Sequence, residues 1–194
     1  MMKKLMVATV LTVMSLTTIY AQDIKIGAKA GLNLATLTGD IDNAKSRTSF
    51  HIAGVVEIPV SDTFSVQPEL HYSAQGRKSS TDNDEKEILD YLNLPVMAKF
   101  YPIESLEGLS FEAGPQIGFL LSAKGEDNGQ TFDLKDVTKS IDIGLNIGVG
   151  YKMENGVNFG ARFNLGFTDI NDISEDLDKF KNSVFQFSIG YFFY

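Results

Sequence analysis

The sequence contains no cysteine, which excludes disulfides, thiolate metal sites and a lipid-modified N-terminal cysteine. An exported chain of this composition must be stabilised by a core or by a closed hydrogen-bonded sheet. Histidine is scarce: His51 and His71 are the only two, and no second-shell pattern accompanies them, so no metal is expected. Basic residues are also few, with 17 Lys and Arg against 25 Asp and Glu and a formal charge of −8. Such a chain is a poor binder of nucleic acid or of an anionic surface. Beyond the N-terminus, no apolar run approaches the ~20 residues of a spanning helix. That leaves open a protein that crosses a membrane with strands, whose hydropathy signal is weak per segment.

The N-terminus reads "MMKKLMVATVLTVMSLTTIYAQ". Lys3 and Lys4 precede an apolar stretch from Leu5 to about Leu16, and Ala21 occupies a cleavage position, the pattern of a secretory signal peptide over residues 1–21. Ile19 is larger than the usual residue two places before the cut. An uncleaved anchor would need a longer apolar run. Removing two lysines and no acid takes the charge from −8 to −10 (15 bases against 25 acids) and leaves one domain, 22–194.

"FSVQPELHYSAQG", residues 64–76, separates into two interleaved lists. Phe64, Val66, Pro68, Leu70, Tyr72, Ala74 and Gly76 are uncharged, while Ser65, Gln67, Glu69, His71, Ser73 and Gln75 are polar. Strict alternation predicts an extended strand whose faces meet different surroundings. Comparable runs at about 24–38, 50–60, 91–101, 109–122, 140–153, 157–168 and 184–194 bring the total to about eight strands. Most reach the ~9–11 residues that a tilted strand needs to cross a bilayer.

Connections alternate in length. "TGDIDNAKSRTS", "RKSSTDNDEKE", "AKGEDNGQTFDLKDVTK" and "DINDISEDLDKFKN" follow the odd strands, while "SDT", "PIESLEG" and "ENG" follow the even ones. In an up-and-down sheet this puts every long loop at one end, the asymmetry of outer-membrane barrels. Asn155-Gly156 is a hairpin signal, because both residues tolerate positive φ. The acidic stretches "DNDEKE" and "DINDISEDLD" lack the spaced ligands and mid-loop glycine of a calcium loop and read as solvated. "GVGY" lies within strand alternation and is no nucleotide loop.

Charge distribution decides which face is inside. Between strand ends the apolar list carries no charge, whereas the polar list holds Lys25, Lys29, Lys99, Lys152 and Arg162 against Glu57, Glu69, Glu112 and Asp142. Near-balanced signs suit a lumen filled by paired side chains. Glycines 27, 31, 114, 118, 144, 148, 160 and 166 on the same list suit the crowded interior of a small barrel. The apolar list is rich in aromatics near strand ends: Phe50, Phe64, Phe100, Phe111, Phe119, Tyr151, Phe159, Phe167, Phe185 and Phe193, as in lipid-facing girdles. The fold expected is an all-β, up-and-down antiparallel transmembrane barrel of about eight strands. Pro68, Pro95 and Pro115 each remove a ladder donor within a strand, and bulges are expected there.

The segments "IGAKAGLNLATLTGD", "QPELHYSAQG", "YLNLPVMAKFYP", "GPQIGFLLSAK" and "SIGYFF" resemble the PorT-like outer-membrane β-barrel proteins, often labelled porin-family, over the whole mature chain. The resemblance implies an outer-membrane barrel and no common activity, although the named member assists secretion. Families of this type end in an aromatic read by the barrel-assembly machinery. Phe193 matches that place and Tyr194 is one residue extra.

Glu69, His71 and Ser73 share one face of one strand, with His51 on the neighbouring strand, a set from which a barrel lipid hydrolase could be built. Side chains two apart on a strand stand ~7 Å from one another, beyond direct hydrogen bonding, so a lumen plug is expected instead. No catalytic residue, cofactor or metal ligand is assigned, and the chain is not expected to be an enzyme. Expected partners are outer-membrane lipids, the barrel-assembly machinery during biogenesis, and an extracellular or envelope protein. Nucleic acid is not expected, and the protein is expected to be monomeric. A structural or partner-binding role leads, a narrow porin is the alternative, and a lipid hydrolase or soluble lipocalin-like binder lies outside.

Overall fold

The computed structural model describes residues 24–40, 44–81, 85–102, 108–173 and 178–193. The expected signal peptide, its cleavage site and Tyr194 lie outside the described residues. Eight long strands form the wall: β1 (Lys25–Gly39), β2 (Ala44–Ser61), β3 (Phe64–Ser79), β4 (Lys86–Phe100), β5 (Leu109–Asp127), β7 (Ile141–Lys152), β8 (Val157–Gly166) and β9 (Phe180–Phe193). A short β6 (Gln130–Asp133) folds back on the end of β5, followed by a 3-10 turn over Lys135–Val137. Every pairing between strands is antiparallel, and β4–β5 and β1–β9 complete an eight-stranded ring. Wall strands of 10 to 19 residues meet the ~9–11 needed to span a bilayer.

The ring is polar inside and apolar outside. Along β3, Ser65, Gln67, Glu69, His71 and Ser73 are buried while Leu70 is exposed. Ile26, Leu32, Val96, Ile143 and Phe187 also stand on the outside. Nine of the ten aromatics expected on the lipid face are exposed, and Phe64 is half-buried. In water such a surface would far exceed the few hundred Å² that soluble proteins leave apolar. The soluble-barrel reading, which buries the apolar list, is thus reversed.

Bulges do not occur at the three prolines. Between β2 and β3 the pairing passes from Val55↔Glu69 to Ile58↔Val66 without a change of register, omitting only the rungs at Val56/Pro68 and Glu57/Gln67. Pro95 likewise interrupts β3–β4 between Pro68↔Val96 and His71↔Asn93, and Pro115 interrupts β4–β5 between Pro95↔Gln116 and Ala98↔Ala113. A proline lacks one donor toward one neighbour; the strand on its other side still pairs, as Pro68↔Val96 and Pro115↔Leu145 do. At the third gap a Cβ on Gly114 would collide with the Val96 carbonyl, so a glycine lets the two backbones meet. Register shifts occur elsewhere, between Ser46 and His51, Pro59 and Ser61, and Asp90 and Tyr91.

Much of the sequence expected to form long loops is strand. The ladders continue through Lys78↔Lys86, Lys86↔Glu126 and Gly39↔Phe180. Beyond the bilayer the outward face meets water while residues such as Leu37, Leu89 and Ala123 stay buried inside, so the contrast between faces fades in the sequence although backbone pairing persists. Cross-strand ion pairs, Arg77–Glu87 and Lys86–Glu126 among them, line these extensions. Asn128 and Gly129, with φ of 48° and 78°, make the two-residue hairpin into β6. At Asn155-Gly156 only Gly156 takes positive φ. Its N–H donates to Met153 O, and Met153 N–H donates to Val157 O, so the loop is a four-residue turn closed by glycine.

Candidate functional site

The lumen is the only part of the molecule where charged groups converge away from solvent among the described residues, and the strand period puts them there. On the inward face one ion-pair chain crosses the barrel. Lys152 Nζ donates to Glu57 Oε1 at 2.5 Å, and Lys99 Nζ donates to Glu57 Oε2 at 3.1 Å. Lys99 also lies 3.3 Å from Glu112 Oε1. Arg162 Nη2 joins Glu112 Oε2 at 3.0 Å to Glu69 Oε1 at 3.0 Å, while its Nη1 holds Glu69 Oε2 at 2.9 Å. Lys29 Nζ and Gln67 Nε2 both donate to Glu69 Oε1, at 2.9 and 2.6 Å.

Each carboxylate therefore meets two cations, and the bidentate Arg162–Glu69 fork fixes direction as well as charge. The Phe192 ring lies 6.0 Å from Lys99 Nζ and 5.5 Å from Lys152 Nζ at the short-turn end. Lys29, Lys99 and Arg162 do pair with Glu57, Glu69 and Glu112, as their shared face suggests; Lys25 stands opposite Glu57 in register.

Glu69, His71, His51 and Ser73 are brought together, with one correction. His71 Nε2 stands 2.5 Å from Glu69 Oε2, because two long side chains lean across the ~7 Å between alternate Cβ positions. The contact lies off the angle of a hydrogen bond. His51 and His71 stack face to face, centroids 5.7 Å apart and planes 4° from parallel, so their ring nitrogens lie in separate parallel planes. His51 Nδ1 pairs with Asn33 Oδ1 at 2.7 Å. Ser73 Oγ accepts from Asn33 Nδ2 at 3.0 Å and Gln75 Nε2 at 3.2 Å. Both donors are amides, so the serine serves as a hydrogen-bond acceptor in this arrangement.

Above this lies an amide ladder that attention to charge overlooks. Asn164 Nδ2 donates to Asn146 Oδ1, and Asn146 Nδ2 donates to Gln116 Oε1, each at 3.2 Å. Gln186 Nε2 donates to Asn33 Oδ1 at 3.0 Å. Their positions share the parity of the charged residues, which was the available signal. The same parity places Tyr91, Met97 and Phe192 inside, where they are buried.

Toward the long-connection end the filling becomes apolar. Leu37, Leu89, Tyr91, Leu120, Ala123 and Ile170 cluster, with Leu134 and Phe180 packed against them. Asp169 anchors the β8–β9 connection beside this layer, accepting N–H bonds from Asn171 at 3.1 Å and Phe180 at 3.0 Å. Slight burial pushes its carboxyl up, but these bonds and nearby Lys139 hold it below the usual carboxylate range. A cavity of about 30 Å³ beside Lys29, Gln67, Lys99, Glu112 and Arg162 has room for about two waters.

Comparison with known proteins follows the same lines. The structure resembles Neisserial surface protein A at a TM-score of 0.56 and 12% identity, covering 88% of this chain and 97% of that one. It resembles Ail, the attachment invasion locus protein of Yersinia pestis, at a TM-score of 0.54 and 13% identity, covering 89% and 100%. Identities this low establish the fold alone. No curated protein sequence matches this chain. Residues 20–172 match the family model for the outer membrane protein beta-barrel domain. With that match over most of its length, and a ring that turns its apolar face to lipid, the chain belongs to the outer membrane β-barrel domain family and resides in the outer membrane.

Proposed function

We propose that this protein is a non-conducting barrel of the PorT-like kind, whose role is structural or partner-binding and whose acidic long connections face an extracellular or envelope protein. The observation that carries this reading is the filled lumen, in which the Lys152–Glu57–Lys99–Glu112–Arg162–Glu69–Lys29 chain spans the wall beneath an apolar layer. A barrel of about eight strands has an interior just wide enough for its own side chains. One solved Ail structure is a complex with the heparin analogue sucrose octasulfate. An anionic ligand suits this chain poorly, because "DINDISEDLD" carries five acids and no base. A basic protein surface fits that charge better.

Reconstitution in planar bilayers tests the reading. Purified protein is expected to leave the membrane silent. Reproducible steps of open-porin conductance would contradict it and favour passage of small solutes.

A further inference from the structure

The chain's formal charge of −8 is unevenly placed. At the long-connection end three lysines stand directly opposite one another on adjacent strands: Lys45↔Lys78 across β2–β3 and Lys78↔Lys86 across β3–β4. Positions paired in this way share one face of the sheet. That face is the outer one, because Ser79 of β3 and Leu89 of β4, each of opposite parity, are buried. Lys45 and Lys78 are exposed.

Like charges directly opposite destabilise a ladder, and little in the row offsets them. Lys86 pairs with Glu126, next along the row, at 2.9 Å. Lys45 Nζ donates to the Ser80 carbonyl at 3.5 Å. Neither Lys45 nor Lys78 makes an ion pair among the described residues. Three lysines against one glutamate leave the row with a surplus of two positive charges. Two residues nearer the bilayer, Lys124 faces Asp133 and adds nothing to the surplus. Asp90, four residues below Lys86, interacts with Tyr72 and Arg47.

Depth identifies the partner. Phe64↔Phe100↔Phe111 form an aromatic row at the short-turn end, the position of the inner membrane-facing girdle. Lys78 and Lys86 lie fourteen residues along the same strands (64 to 78, and 100 to 86). At ~3.4 Å per residue and a tilt of ~40°, that is about 36 Å along the membrane normal. The apolar band of such barrels is ~25 Å tall, so the lysines emerge about 10 Å above it, among outer-leaflet headgroups.

We propose that Lys45, Lys78 and Lys86 bind a phosphate of an outer-leaflet glycolipid of the lipid A class against the outer wall. A phosphate monoester carries ~1.5–2 negative charges, which matches the surplus of the row. Lysine binds phosphate as a point charge, so an open face suffices. The acyl chains of that lipid lie on the wall below, where Leu70, Leu94 and Val96 are exposed. A soluble polyanion would meet the charge and forgo the wall. This site is independent of whether the lumen conducts.

The test titrates the refolded barrel in detergent micelles with diphosphoryl lipid A. A chelator removes divalent ions that would bridge phosphate to the acidic connections. Each lysine is expected to contribute about fivefold to affinity. Lys45→Gln combined with Lys78→Gln is therefore expected to weaken binding about 25-fold. Lys181→Gln, at the same end on the β1–β9 extension, is expected to leave binding unchanged. Affinity that survives the double variant, or that falls equally in Lys181→Gln, would overturn the site. So would equal binding of lipid A stripped of phosphate, or displacement of the lipid by millimolar inorganic phosphate. Should the double variant fail to fold, Lys78→Gln alone decides: weakening of about fivefold supports the site, and none refutes it.

Discussion

Replacing Glu69 with leucine is expected to destabilise the barrel by about 3–5 kcal/mol, the range for removing one partner of a buried ion pair. Glu69 is the hub of the lumen. It accepts both guanidinium nitrogens of Arg162, the Lys29 ammonium and the Gln67 amide, with His71 in contact. Leucine is one atom shorter and offers no acceptor, so Lys29 loses the carboxylate that it pairs with and Arg162 retains Glu112 alone. Glu69→Gln keeps one acceptor oxygen but gives up the charge and sets an NH2 donor where the other oxygen met a donor, so a loss smaller than leucine's is expected, by the bonds that the one oxygen retains. Urea midpoints in detergent, followed by the mobility difference between folded and boiled protein, measure both. A Glu69→Leu barrel as stable as the wild type would mean that the network fills space without stabilising the fold.

The second large effect lies on the other face. Ile147→Lys is expected to lose ~2–4 kcal/mol, because the residue sits at mid-strand and mid-bilayer. Ile147 is 45% exposed, pairs with Ala113 and Phe163, and has no inward partner to offer a charge. The same change at Met153, at the short-turn end just past β7, meets headgroups and water, and ~0–1 kcal/mol is expected. Folding titrations into phospholipid vesicles compare the two directly. Equal losses at both sites would remove the depth dependence that a bilayer imposes.

The wall was legible in the sequence because a period of two is enforced wherever one face meets lipid and the other a crowded lumen. Ile141 through Tyr151 shows this cleanly: Asp142 and Asn146 are buried while Ile143 and Ile147 are exposed. Legibility failed where that enforcement ends. Past Ser122 the outward face of β5 turns polar, so the five further residues of strand, 123–127, read as loop although Ala123 still packs into the apolar layer. The Asn128-Gly129 hairpin was visible by the rule applied to Asn155-Gly156, yet it lay in a stretch read as polar loop. At Asn155 the dipeptide rule overreached, since one glycine with positive φ sufficed.

The prolines show a different limit. Sequence reveals that a donor is missing; it does not reveal that the neighbour on the other side will hold the register. Within the site, the signs of the charges gave the pairing but not the geometry. Nothing in the order of residues shows that Arg162 bridges Glu69 and Glu112, or that Glu69 and His71 lean together along one strand. Those contacts depend on curvature, which brings β3, β5 and β8 within one side chain's reach across the lumen.

The direction of the two faces is the claim on which the rest depends, and adjacent residues test it most directly. Asn146 is 0% exposed and hydrogen-bonded to Gln116 and Asn164, while its neighbour Ile147 is 45% exposed. A single cysteine placed at each in turn is unambiguous, because the chain has none of its own. With an environment-sensitive probe on each and a quencher fixed deep on the acyl chains of liposomes, strong quenching is expected at 147 and almost none at 146. Equal quenching at the two positions, or quenching at 146 alone, would show that the barrel has been read inside out.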